Sequence, residues 1–81
     1  MKLRVKLFAV AKELAGSDEI EIELPEGATV ADVRHAVENT CPALAGVLPH
    51  ALWAVDAAYA TDATPLSETS DVALIPPVSG G

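Results

Sequence analysis

Lys2-Leu3-Arg4-Val5-Lys6-Leu7-Phe8 opens with strict apolar–charged alternation, and Glu19-Ile20-Glu21-Ile22-Glu23-Leu24 repeats that pattern a short distance on. A period of two is the signature of a strand with one buried face. Leu3, Val5 and Leu7 point to one side, and Lys2, Arg4, Lys6 and Phe8 to the other. In the second segment Ile20, Ile22 and Leu24 oppose Glu19, Glu21 and Glu23. Segments this close in sequence pair most simply as antiparallel neighbours. Their outer faces then set lysine and arginine against glutamate across the ladder, which accounts for most of the cations without a ligand.

Between the two strands, Ala9–Ala15 reads as a short helix stopped by Gly16, a residue suited to a left-handed cap. After the second strand, Pro25-Glu26-Gly27 is a turn, and Thr29 is a helix N-cap with Asp32 three residues on. Val30, Val33, Val37, Cys41 and Leu44 then recur at helical spacing, with Arg34, His35 and Glu38 off that stripe. Pro42 disfavours helical geometry at Cys41, so the helix is expected to end at Thr40. Residues 43–50 form an irregular connection carrying Gly46 and Pro49. Ala51–Val55 and Ala58–Ala60 are short strand candidates around Asp56-Ala57. A polar loop with Pro65 follows, and Val72–Ile75 is the last strand. The economical fold is α+β, a mixed sheet with one main helix packed on one face. That order is the β-grasp plan in outline, and periodicity alone does not separate it from a ferredoxin-like domain.

The 81 residues allow one domain, 1–75, followed by a flexible tail, 76–81. With 51% hydrophobic and 21% charged residues the chain is globular rather than disordered. Aromatics are only 4%, so Val, Leu, Ile and Ala build the core and leave little room for a deep pocket. Such a chain is expected to act as a partner or carrier rather than as a complete enzyme. Its net charge of −7 would repel a polyanion, which argues against nucleic acid. No long apolar run, basic amphipathic helix or signal peptide points to a membrane. A single cysteine, Cys41, permits no internal disulfide and fits a reducing cytoplasm. It lies on the apolar stripe with no adjacent His or Lys and reads as a structural thiol. His35, Cys41 and His50 lack metal-ligand spacing, so no metal is expected. No Ser-His-Asp set, phosphate loop or catalytic carboxylate pair stands out.

The tail does not read as folding. Pro76 and Pro77 cannot donate to a ladder and favour extended backbone, so the sheet is expected to stop there. Val78 and Ser79 lead to Gly80 and Gly81, a slim tip that can enter a narrow channel in another protein, so Pro76, Pro77, Val78 and Ser79 are expected to contact that partner. Residues 76–81 reach about 20 Å when extended. The group presented is the carboxylate of Gly81, with Gly80 allowing close backbone approach. A carboxylate is a poor electrophile until adenylation supplies a leaving group; a sulfur donor can then generate a thiocarboxylate.

Three segments carry a family resemblance: Asp71-Val-Ala-Leu-Ile-Pro-Pro-Val-Ser-Gly-Gly81, Val5-Lys-Leu-Phe-Ala-Val-Ala-Lys-Glu-Leu-Ala-Gly16, and Thr64-Pro65-Leu66. Together they resemble the small-subunit family of molybdopterin synthase (MoaD), over essentially the whole chain. The resemblance implies a ubiquitin-like β-grasp fold and a two-partner cycle. An E1-like adenylating enzyme (MoeB-like) would use ATP to activate Gly81, and sulfurtransfer would convert it to a thiocarboxylate. The tail would then enter the large synthase subunit (MoaE-like), giving sulfur to a pyranopterin precursor in molybdenum-cofactor biosynthesis. This chain would bind no cofactor itself, and the catalytic side chains would belong to the partner.

Alternation also nominates a docking surface. Phe8 shares the parity of Lys2, Arg4 and Lys6, Ile75 falls on the same outer face, and Tyr59 sits between two alanines. An exposed apolar cluster marks an interface, and in the family resembled the docking surface is hydrophobic at these matching positions. Trp53 reads as core. Three alternatives share these features: a sulfur carrier for thiamine, cysteine or tungsten-cofactor synthesis; a ubiquitin-like protein modifier; and a binding module with an inert tail.

Overall fold

The computed structural model describes residues 1–77, so the expectations placed on Val78, Ser79, Gly80 and Gly81 lie outside the described residues. β1 (Lys2–Leu7) leads into α1 (Ala9–Ala15), and β2 (Glu19–Glu23) precedes α2 (Val30–Thr40). Two 3₁₀ turns, Pro42–Leu44 and Leu48–His50, connect α2 to β3 (Leu52–Val55), β4 (Ala58–Ala60) and β5 (Val72–Ile75). The region expected to be irregular is thus partly ordered. Each turn carries its proline near its start, where the missing N–H leaves no bond unmade.

The five strands lie in the order β2-β1-β5-β3-β4. β1 pairs antiparallel with β2, matching Lys2, Arg4 and Lys6 to Glu23, Glu21 and Glu19. Arg4 approaches both Glu19 and Glu21, at 3.5 and 3.8 Å, while Lys6 reaches across to Asp71 at 3.2 Å. The sheet is mixed because the final strand inserts beside the first in parallel, pairing Leu7 with Leu74, and runs antiparallel to β3.

One face of the sheet holds the core. Leu3, Val5, Leu7, Ile22, Trp53, Val72 and Leu74 are buried there against Val30, Val33 and Val37 of α2, with Ala11, Leu44 and Leu48 closing the end. Cys41, at the end of the stripe, is half-buried and packs against this cluster. Asp32 fixes the start of α2, its carboxylate accepting the Thr29 N–H at 2.8 Å. Beside it, Arg34 donates two hydrogen bonds to Asp62, at 2.6 and 3.0 Å. The backbone N–H groups of Val30 and Ala31 reach Thr64 and Asp62. The loop before β5 is thereby tied to the helix start.

Candidate functional site: the tail root and the outer sheet face

β1 and β5 run in the same direction, so the end of β1 and the start of the tail emerge at one end of the sheet. Phe8 and Ile75 each follow one residue after the paired Leu7 and Leu74, and Leu52 pairs with Ile75 across β3. Register therefore sets Phe8, Ile75 and Leu52 in a row beside the tail root. Phe8 is 50% exposed and Leu52 54%, while Ile75 is half-buried.

A second row runs across the same outer face: Glu19, Lys6, Ala73, Ala54 and Tyr59 in successive strands. Charge on β2 and β1 gives way to apolar surface on β5, β3 and β4. Tyr59, on the edge strand, is 75% exposed. The alternation of β1 sends Phe8 outward and that of β5 does the same for Ile75, because their neighbours Leu7 and Leu74 are fully committed to the core. Leu52 was not nominated by sequence. Its parity follows from pairing with β5, since Trp53 faces inward opposite Leu74.

Pro76, expected to contact a partner, is buried within this chain, whereas Pro77 is exposed. The alternation that buries Val72 and Leu74 continues through Pro76. A proline ends the hydrogen-bond ladder but not the side-chain parity of the strand. Its ring pins the tail to the body, leaving Pro77 as the first exposed residue of the exit.

Among the described residues the shortest ion pair lies away from this face. The Arg34 guanidinium hydrogen-bonded to Asp62 holds that carboxyl below the ordinary carboxylate range, and Asp62 raises Arg34 in return. Both lie on α2 and the β4–β5 connection. Among the described residues no cluster of His, Cys, Asp and Glu is arranged to hold a metal ion, and no helix is long and apolar enough to cross a membrane. The described part of the site can bind apolar surface and aim a tail; it carries no acid–base pair.

Comparison with known proteins gives the family and the fold. A family model described as the ThiS family matches residues 5–81. The molybdopterin synthase sulfur carrier subunit of Chlamydomonas reinhardtii is 35% identical over 83 residues, with all of both chains covered. The crystal structure of SAMP1 from Haloferax volcanii, a small archaeal modifier protein, superposes with a TM-score of 0.87 at 31% identity, again over all of both chains. It places the fold among the β-grasp proteins. A complex of subunits 1 and 2 of the molybdopterin-converting factor from Helicobacter pylori shares the fold, with a TM-score of 0.70 at 22% identity and full coverage of both chains.

Proposed function

The chain belongs to the ThiS family, and on that premise we propose that it is the sulfur-carrier subunit of a molybdopterin synthase, with the carboxylate of Gly81 as its reacting group. The observation that carries this reading is the apolar row of Phe8, Ile75 and Leu52 at the root of a proline-braced tail. A chain built this way grips a partner with its sheet and extends its terminus into that partner's active site.

The cycle follows from the chemistry of a carboxylate. Its oxygen attacks the α-phosphorus of ATP on an adenylating enzyme and displaces pyrophosphate. A sulfur nucleophile then attacks the acyl carbon and displaces AMP, leaving a thiocarboxylate. Inside a large synthase subunit that sulfur displaces an oxygen substituent from a carbon of a pyranopterin precursor, and water then cleaves the acyl–sulfur bond and restores the Gly81 carboxylate. ATP belongs to the activating partner, and this chain needs no cofactor of its own. The H. pylori protein of the same fold is found with its subunit 2, which supports an equivalent large partner here. A lone half-buried thiol and the lack of a membrane-crossing helix among the described residues suit a cytoplasmic setting.

Likeness to a small archaeal modifier protein supports a second reading, in which activated Gly81 acylates lysines of other proteins. Mass spectrometry after incubation with an adenylating enzyme, ATP and a sulfur donor separates the two. Exchange of oxygen for sulfur at Gly81 is expected for the carrier, and adducts on partner lysines for the modifier. Unchanged mass in every condition would sink both.

A further inference from the structure

We propose that Ala9 is a positioning residue for docking, whose left-handed backbone holds Phe8 on the outer face; this rests on the docking reading above. Ala9 has φ +53°, a region sparsely open to residues that carry a Cβ. Phe8 before it is extended, at φ −129° and ψ 154°.

The reason lies in how little chain is available. Leu7 and Ala11 are both buried, and only three residues separate them. The Leu7 N–H is pinned to the Asp18 carbonyl at 2.8 Å, and the Ala11 N–H donates to the Phe8 carbonyl at 3.1 Å. The chain must therefore leave the sheet and enter α1 between two fixed points. A single left-handed residue accomplishes that reversal and fixes how the chain leaves Phe8, whose outward parity β1 has already set.

Ala9 itself is exposed, so its methyl group adds nothing to the core. Glycine would occupy the same φ without strain, and folding alone would favour it. What the methyl group does is narrow the backbone. An L residue has one small well at positive φ, whereas glycine ranges over much of the map. Alanine thus trades folding stability for a fixed direction of Phe8.

The test compares full-length variants for affinity toward the large synthase subunit and for thermal stability. Ala9→Gly is expected to bind about two- to five-fold more weakly, the scale of glycine's extra backbone freedom, with Tm no lower than native. Replacing Ala9 by its D enantiomer through chemical synthesis puts a constrained residue where positive φ is comfortable. Tm should rise and affinity should match or exceed that of the native chain. In a Phe8→Ala background, Ala9→Gly should leave affinity unchanged, because the two positions act through one side chain. Native affinity for Ala9→Gly, or the same loss without Phe8, overturns the assignment. If Phe8→Arg also leaves binding intact, the docking reading falls first and takes the role of Ala9 with it.

Discussion

Leu52 and Leu74 are identical side chains on neighbouring strands, facing opposite sides of the sheet. Leu74 is fully buried and Leu52 is 54% exposed. Full burial of a leucine is worth roughly 1.5–3 kcal/mol. About half of that is realised at Leu52 on folding, so Leu52→Ala should cost about 1 kcal/mol of stability, lowering Tm by roughly 4–8 °C. The other half is available only when a partner covers the row, which amounts to about 1 kcal/mol of binding, or roughly five-fold in Kd. Leu74→Ala opens a cavity and should cost about 3–5 kcal/mol, a large share of the stability of so small a domain. Its folded fraction should still bind with native affinity. Thermal unfolding by circular dichroism and titration calorimetry against the large synthase subunit measure both quantities. Leu52→Ala that loses stability without losing affinity would refute the assignment of this row to docking.

Deleting Gly81, or adding one residue after it, should abolish sulfur transfer and leave Tm unchanged; transfer by an extended chain that mass spectrometry proves untrimmed would disprove the terminal-acyl mechanism. Asp62 is held below its ordinary pKa of 3.8 by Arg34, so the folded state binds fewer protons there than the unfolded chain. The stability this contributes is complete above the unfolded value and is lost as pH falls through the folded one. Asp62→Asn should flatten the acid limb of Tm against pH below about 4 and leave the neutral limb parallel to native. Ala57, with Asp56, forms a hairpin turn with positive φ at both positions, 67° and 52°. Ala57→Gly should raise Tm by a few degrees by relieving strain of about 1 kcal/mol, with affinity unchanged.

Much of this fold is legible along the chain wherever the controlling interactions are local. The alternation of residues 2–8 and 19–24 reports one buried face, and the Lys/Arg-to-Glu register follows from it. Thr29 and Asp32 announce the start of α2, and Pro42 its end, because caps and breakers act within one turn. What escapes is set by distant partners. The parallel insertion of β5 beside β1 has no local signal. Reading Trp53 as core already implies an outward Leu52, but only its pairing with Ile75 sets it beside the tail root. The burial of Pro76 escapes for a related reason: its effect on backbone hydrogen bonding is a local property, but the space that receives its ring is built by the rest of the domain.

The placement of the tail constrains how two partners share this chain. In the proposed cycle Gly81 is reached first by an activating enzyme and later by an acceptor subunit. The tail leaves beside Phe8, Ile75 and Leu52, and its six residues span at most about 20 Å. Any active site that encloses Gly81 therefore brings its surroundings over the same end of the sheet. The two partners then exclude one another, and sulfur delivery requires release from the first before capture by the second. A saturating large subunit should suppress ATP-dependent pyrophosphate release from the activating enzyme in proportion to the fraction of carrier bound. Leu52→Ala, which weakens capture, should relieve that suppression at a fixed subunit concentration. Pyrophosphate release that continues at the full rate when all of the carrier is bound would show that the partners grip separate surfaces.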